Sequence, residues 1–227
     1  MFYPHKIKNI LPTDKVLEIG PGNNPFHRSD VLLELEYENE QDRVSQFGHT
    51  EKLTSEKKIV YYKGKEFPFA DNSFDYVICS HVLEHVPDVQ FFLSEIFRVA
   101  KKGYFEYPLI TYDYLYNFDV HLNFLKFTGS KMYLLKKERT PLGNFKPLNN
   151  FFLKTLNHGY GDFLGGIPEC FFEGFEWAKP FELELNSDLN NFITTDMIRK
   201  PLPGNTAPSV KSSVKQLAAA IKNKLKF

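Results

Sequence analysis

Cysteine is scarce in this chain. Its 227 residues include two, Cys79 and Cys170, too few for a disulfide framework and in keeping with a reducing, cytoplasmic setting. Net charge is missing as well: 28 basic residues balance 28 acidic ones. Nucleic-acid recognition normally requires a positive field, so a DNA or RNA partner is not expected. No apolar run approaches the length of a membrane span. The opening Met1-Phe2-Tyr3-Pro4-His5-Lys6 has neither a signal-type hydrophobic segment nor a glycine after Met1 for myristoylation.

Rings are plentiful, with 23 phenylalanines and 12 tyrosines. Many follow residue 103, including Tyr104, Tyr107, Tyr112, Tyr114 and Tyr116. A core explains most such residues. Rings interleaved with polar tips also suit a ligand cleft.

Short apolar runs alternate with turn signals. Strands are expected near 16–19, 31–34, 58–62, 74–79 and 103–107. Pro87-Asp88 opens a helix whose Val89, Phe92, Leu93, Ile96 and Phe97 share one face. The pattern predicts an α/β fold with a Rossmann-like, mostly parallel, doubly wound sheet and helices on both faces. Residues 23–30 are too few for a full crossover helix, so the first crossover is short or lacks one. Further strands fit 122–127 and 131–136, a short helix fits 151–156, and the alternation Glu182-Leu183-Glu184-Leu185 fits an edge strand. The expected organisation is one domain over 1–200, with core motifs at 10–108 and acceptor-side additions at 109–200. A linker (201–208) and a basic amphipathic helix (209–227) follow. The apolar stripe of that helix, Val214, Leu217 and Ile221, would pack on its own domain, on a second copy or on an anionic surface.

Two turns carry the chemistry. Val16-Leu17-Glu18-Ile19 runs into Gly20-Pro21-Gly22, where glycine permits a sharp turn and close approach of a ligand to the backbone. The turn lacks the ending of a phosphate loop, and Pro25 breaks the dinucleotide fingerprint, which disfavours a nicotinamide dehydrogenase. Glu34 and Glu36 stand at the end of the next strand, where a carboxylate can accept ribose hydroxyls. The second turn, His81-Val82-Leu83-Glu84-His85, matches H-x-x-E-H. On a long helix both histidines would bind zinc, with Glu169 as a further ligand. Pro87 leaves barely one turn, so no metal is expected there.

The ordered pair of turns resembles class I S-adenosylmethionine-dependent methyltransferases. The first motif lies at 16–22. The fourth-strand region runs from Phe67-Pro68-Phe69 through Ser73-Phe74-Asp75 to Ser80-His81-Val82-Leu83-Glu84-His85, and the following helix contains Phe92–Val99. The resemblance implies S-adenosylmethionine as cofactor. It implies that Glu18, Gly20, Pro21 and Gly22 flank the methionine part and that Glu34 takes the ribose. It puts Tyr62 and Lys63 near the adenine, and Ser80 and His81 beside the sulfonium. Lys63 falls where the family usually has an acidic residue, and lysine cannot accept a hydrogen bond from the adenine amine.

The expected function is methyl transfer to a small polar organic acceptor. The alternative is a catalytically quiet member acting as an interaction module. His81 is a candidate base. His121 and Tyr112 are candidates at the acceptor, with Tyr107 and Tyr114 completing the expected wall.

Overall fold

A computed structural model describes residues 1–47 and 53–193. The linker and helix expected at 201–227 lie outside the described residues. Nine strands run through them: β1 (Val16–Ile19), β2 (Val31–Leu35), β3 (Lys58–Tyr62), β4 (Tyr76–Ser80), β5 (Gly103–Pro108), β6 (Asn123–Phe127), β7 (Lys131–Lys136), β8 (Phe172–Trp177) and β9 (Glu182–Leu185). The α-helices among them are α1 (Glu40–Phe47), α2 (Val89–Val99), α3 (Ile110–Tyr116), α4 (Lys146–Thr155) and α5 (Gly161–Gly166).

Six strands form the main sheet in the order β3-β2-β1-β4-β5-β8. Every pairing is parallel except that of β5 with β8. Strands β1, β2, β4 and β5 are almost continuously buried, as parallel strands covered on both faces must be. The order reverses between β1 and β4, which opens a crevice beyond their carboxyl ends. β4 begins two residues later than its apolar run. Phe74 and Asp75 spend their N–H groups on Val99 and Lys15, and the ladder starts at Tyr76.

One face of the sheet packs Val16, Tyr76, Ile78 and Tyr104 against Tyr3, Tyr116 of α3, Leu164 of α5 and Phe172. On the other face Phe105 and Phe97 of α2 both meet Trp177 and Phe181. α2 starts where expected, and the Asp88 carboxylate caps the Phe91 N–H at 3.0 Å.

No helix fills the first crossover. Glu18 stands in for one: its Oε2 accepts from Phe26 N at 2.8 Å and from Ser29 Oγ at 2.6 Å. Lys57 Nζ adds bonds to the carbonyls of Phe26 and His27. Together they fold residues 20–30 without helical hydrogen bonds.

β6, β7 and β9 make a second, three-stranded sheet. It joins the first through Phe127, stacked on Phe175 at 3.7 Å, and through Tyr107 Oη, which accepts from Phe127 N at 2.7 Å. The alternation at 182–185 therefore marks the edge of this small sheet, parallel to β7. The acid-rich β8 has no counterpart among the expected strands. Its glutamates are satisfied in place: Glu173 accepts from Tyr107 Oη and Lys126 Nζ, and Glu176 from Tyr76 Oη and Asn9. No helix of the described residues is long and apolar enough to cross a membrane.

Gly174 of β8 faces Glu106 across the ladder. A methyl group there would run into the hydroxyl of fully buried Tyr104. Gly174→Ala should lower stability by about 1–3 kcal/mol, read from the midpoint of a urea titration, with the slope unchanged.

Candidate functional site

A cavity opens beyond the carboxyl ends of β1, β2 and β4. Gly20, Glu34, Tyr37, Tyr62, His81, Val82 and His85 help to line it. Gly20 has φ +59°, and a Cβ there would come within 2.7 Å of Val82 Cγ2. A side chain at this position would be strained and would also fill the cavity mouth. Glu34 is 7% exposed. Its Oε1 accepts from Leu35 N at 2.8 Å, while Oε2 is buried without a hydrogen bond. Burial pushes its pKa up to about 7, with Leu35 and Arg43 opposing the shift. A buried carboxylate oxygen with no donor is costly. Ribose hydroxyls are the donors that an oxygen at this place in the fold would meet. The donor set fits the nucleoside end of S-adenosylmethionine.

Of the residues expected around the cofactor, Gly20, Glu34, Tyr62 and His81 come together at this cavity. Glu18 does not line it, because its carboxylate braces the crossover loop. Pro21 and Gly22 lie in that loop, outside the lining. Lys63 is largely exposed, with Nζ 4.0 Å from Glu36, and so neither reaches nor blocks the cavity. Ser80 Oγ donates to Glu106 at 3.1 Å. Tyr37, Val82 and His85 were missed. Tyr37 and Val82 carry no motif of their own, and His85 was read as part of a turn.

His81 holds a left-handed backbone, φ +57°, uncommon for a residue with a side chain. Its N–H bonds Glu106 O at 2.8 Å. Nε2 lies 3.0 Å from Glu106 Oε1, and Nδ1 lies 3.4 Å from Glu84 Oε1. Burial alone would lower its pKa, but the two carboxylates outweigh it and hold the ring protonated. An imidazolium has no lone pair to accept a proton. This setting corrects the expectation of a free base at His81: it is a fixed cation beside the cavity.

The acceptor-side candidates separate. His121 is 7% exposed, with Nδ1 2.8 Å from Asp113 Oδ1. Its ring stands 4.8 Å from that of His85 and 6.3 Å from that of Tyr112. Tyr112 is half-buried and packs on Phe172 and Phe118. Tyr107 is a correction. It is fully buried, and its hydroxyl is spent on Glu173 and Phe127, so it belongs to the core and not to a wall. The Tyr114 hydroxyl is also buried, with its ring on Phe124. A cleft lined by His121, Pro87, Asn117, Asp119 and Lys146 lies on this side.

A parallel sheet with a reversed strand order, a glycine turn after β1 and an acid at the end of β2 define a Rossmann-like nucleotide-cofactor domain. The comparisons make that class specific. Residues 17–105 match the family model described as a methyltransferase domain. Demethylmenaquinone methyltransferase of Listeria monocytogenes is 33% identical over 86 residues, covering 38% of this chain and 33% of the relative. Sterol 24-C-methyltransferase of Schizosaccharomyces pombe is 43% identical over 101 residues, covering 41% of this chain and 27% of the relative. The chain thus spans a third or less of the length of either protein. A solved S-adenosylmethionine-dependent methyltransferase from Methanosarcina mazei shares 18% identity, covers 56% of this chain and 72% of its own, and has a TM-score of 0.36.

Glu34 also sets a pH dependence. Its pKa rises from 4.5 in an unfolded chain to about 7. The burial penalty is therefore absent below about pH 4.5, grows as the pH climbs to about 7, and is constant above that. Glu34→Gln should stabilise the ligand-free protein by up to about 3 kcal/mol at about pH 8, and the gain should vanish near pH 4.5. Denaturant titrations across this range measure it, and a pH-independent difference would contradict it.

Proposed function

We propose that this chain transfers a methyl group from S-adenosylmethionine to a small polar organic acceptor. One observation carries the reading: Gly20, with positive φ, and Glu34, with an unpartnered buried oxygen, meet at one cavity in the crevice of the sheet. The cofactor supplies an electrophilic methyl group next to a positive sulfur.

The chain's own residues bind, orient and exclude water. Glu34 accepts from the ribose hydroxyls, and the backbone at Gly20 lies against the methionine part. Tyr62 and Phe92 give the cavity an apolar wall, next to which an adenine ring is shielded from water. His81, fixed as a cation, keeps the rim of the cavity rigid and polar. Tyr112 and His121 flank the acceptor, so alignment of acceptor and methyl group is the main catalytic contribution. The balanced charge favours a small molecule over a nucleic acid. A chain with two cysteines, of which Cys79 is buried, favours a cytoplasmic setting.

Calorimetry with S-adenosylmethionine and S-adenosylhomocysteine tests this reading. Both should bind with micromolar affinity. Gly20→Leu should abolish binding, because its side chain must occupy the space before Val82. Absence of binding at millimolar cofactor by a folded wild-type chain would overturn the proposal.

A further inference from the structure

Glu84, His85 and His121 converge at one point. One ligand atom from each lies within 4.8 Å of the other two. Two of them sit in the turn after β4, and the third stands just before β6. The two segments are tied together: Leu122 N donates to Glu84 O at 2.7 Å, and Asn123 Nδ2 donates to Leu83 O and Val86 O.

The hydrogen bonds around the histidines leave one nitrogen of each ring for the cluster. His85 Nδ1 donates to Val120 O at 3.0 Å, which leaves Nε2 as the acceptor atom, 3.8 Å from Glu84 Oε1. His121 Nδ1 is held by Asp113 Oδ1 at 2.8 Å, which leaves its Nε2. Metal-binding histidines are oriented in this way, with the second nitrogen on a carbonyl or a carboxylate. Glu84 is 1% exposed, and neither of its oxygens has a hydrogen-bond partner. Among the described residues neither Glu84 nor Asp113 has an ion pair with lysine or arginine. His81 already gives Glu84 a cationic neighbour at 3.4 Å, and a metal ion would supply the ligand bond that the Glu84 oxygens lack.

We propose that Glu84, His85 and His121 bind one divalent transition-metal ion of the zinc class, with Val120 O and Asp113 orienting the two imidazoles. Ligand atoms around such an ion stand roughly 3.4 Å apart, so binding draws the triangle in by about 1 Å through side-chain rotation. Three protein ligands leave coordination positions open. His85 lines the cofactor cavity and His121 the neighbouring cleft, so the ion stands between them, in reach of an oxygen or nitrogen donor of an acceptor. That use of the open positions rests on the methyl-transfer reading; the metal site does not. The site also differs from the H-x-x-E-H pattern, since His81 is engaged by Glu106 and the third ligand is His121 instead of Glu169.

The test loads the full chain, stripped with chelator, with Zn2+ or Co2+ and no cofactor. Calorimetry and elemental analysis should find one equivalent, and Co2+ should give the visible absorption of a low-coordinate site. His121→Ala and Glu84→Gln should lose the bound equivalent. Asp113→Asn should keep it with affinity about 10–100-fold weaker. His158→Ala, at an exposed histidine, should bind like the wild type. If His121→Ala does not fold, the Co2+ spectrum of the wild type still decides, because a low-coordinate histidine–carboxylate site absorbs strongly and adventitious octahedral surface cobalt only weakly. Failure of the wild type to bind a stoichiometric ion, or full retention by folded His121→Ala, would overturn the site. Loss of cofactor binding with the metal retained would instead overturn the methyl-transfer reading alone.

Discussion

A negative charge buried at the carboxyl end of β5 organises this molecule. Glu106 is 1% exposed and takes hydrogen bonds from Phe2 N, Tyr3 N, Ser80 Oγ and Tyr104 Oη, with His81 Nε2 as its charged partner. Burial would raise its pKa, but the His81 cation and the hydrogen-bond donors outweigh that and hold it ionised. Removing one partner from such a group leaves a charge without solvent, which costs more than the pair itself is worth. The N-terminal segment, β4 and β5 are therefore committed to one arrangement, and His81 is pulled into its left-handed conformation between Glu106 and Glu84.

That clamp shapes the cavity beside it. With His81 fixed, Val82 is aimed across the mouth toward Gly20, where no side chain fits without moving it. Glu34 enters from the neighbouring strand with one oxygen satisfied and one not. The same protein thus contains two kinds of buried carboxylate. Glu106 and Glu95 accept on both oxygens, Glu18 accepts twice on Oε2, and all three serve the fold. Glu34 and Glu84 keep oxygens without hydrogen bonds; Glu34 lines the cavity, and Glu84 stands against His81 and His85. Residue type does not separate these groups; the surrounding donors do.

Much of the architecture was legible along the chain. Apolar-rich runs at 16–19 and 31–35 read as parallel strands because both faces are covered, whereas 58–62 closes the sheet as a half-exposed edge strand. Eight residues between Asn23 and Asp30 cannot hold a crossover helix, and they do not. β8 escaped notice because its alternating Phe-Glu-Gly-Phe-Glu-Trp looks like a solvated acidic stretch unless the donors Tyr107, Lys126 and Tyr76 from other elements are known. Tyr107 looked like a pocket wall for the same reason: its partners Glu173 and Phe127 lie 66 and 20 residues away.

By itself, then, the sequence determined the parallel sheet, the glycine turn after β1, the acid at the end of β2 and the class of cofactor they suit, because periodicity and turn chemistry are local. Only tertiary structure decided which acids are satisfied, that His81 is a cation and not a base, and that His121 joins Glu84 and His85. These outcomes rest on distances between segments far apart in the chain, and hydrogen-bond saturation and burial are properties of the folded surroundings and not of the residue.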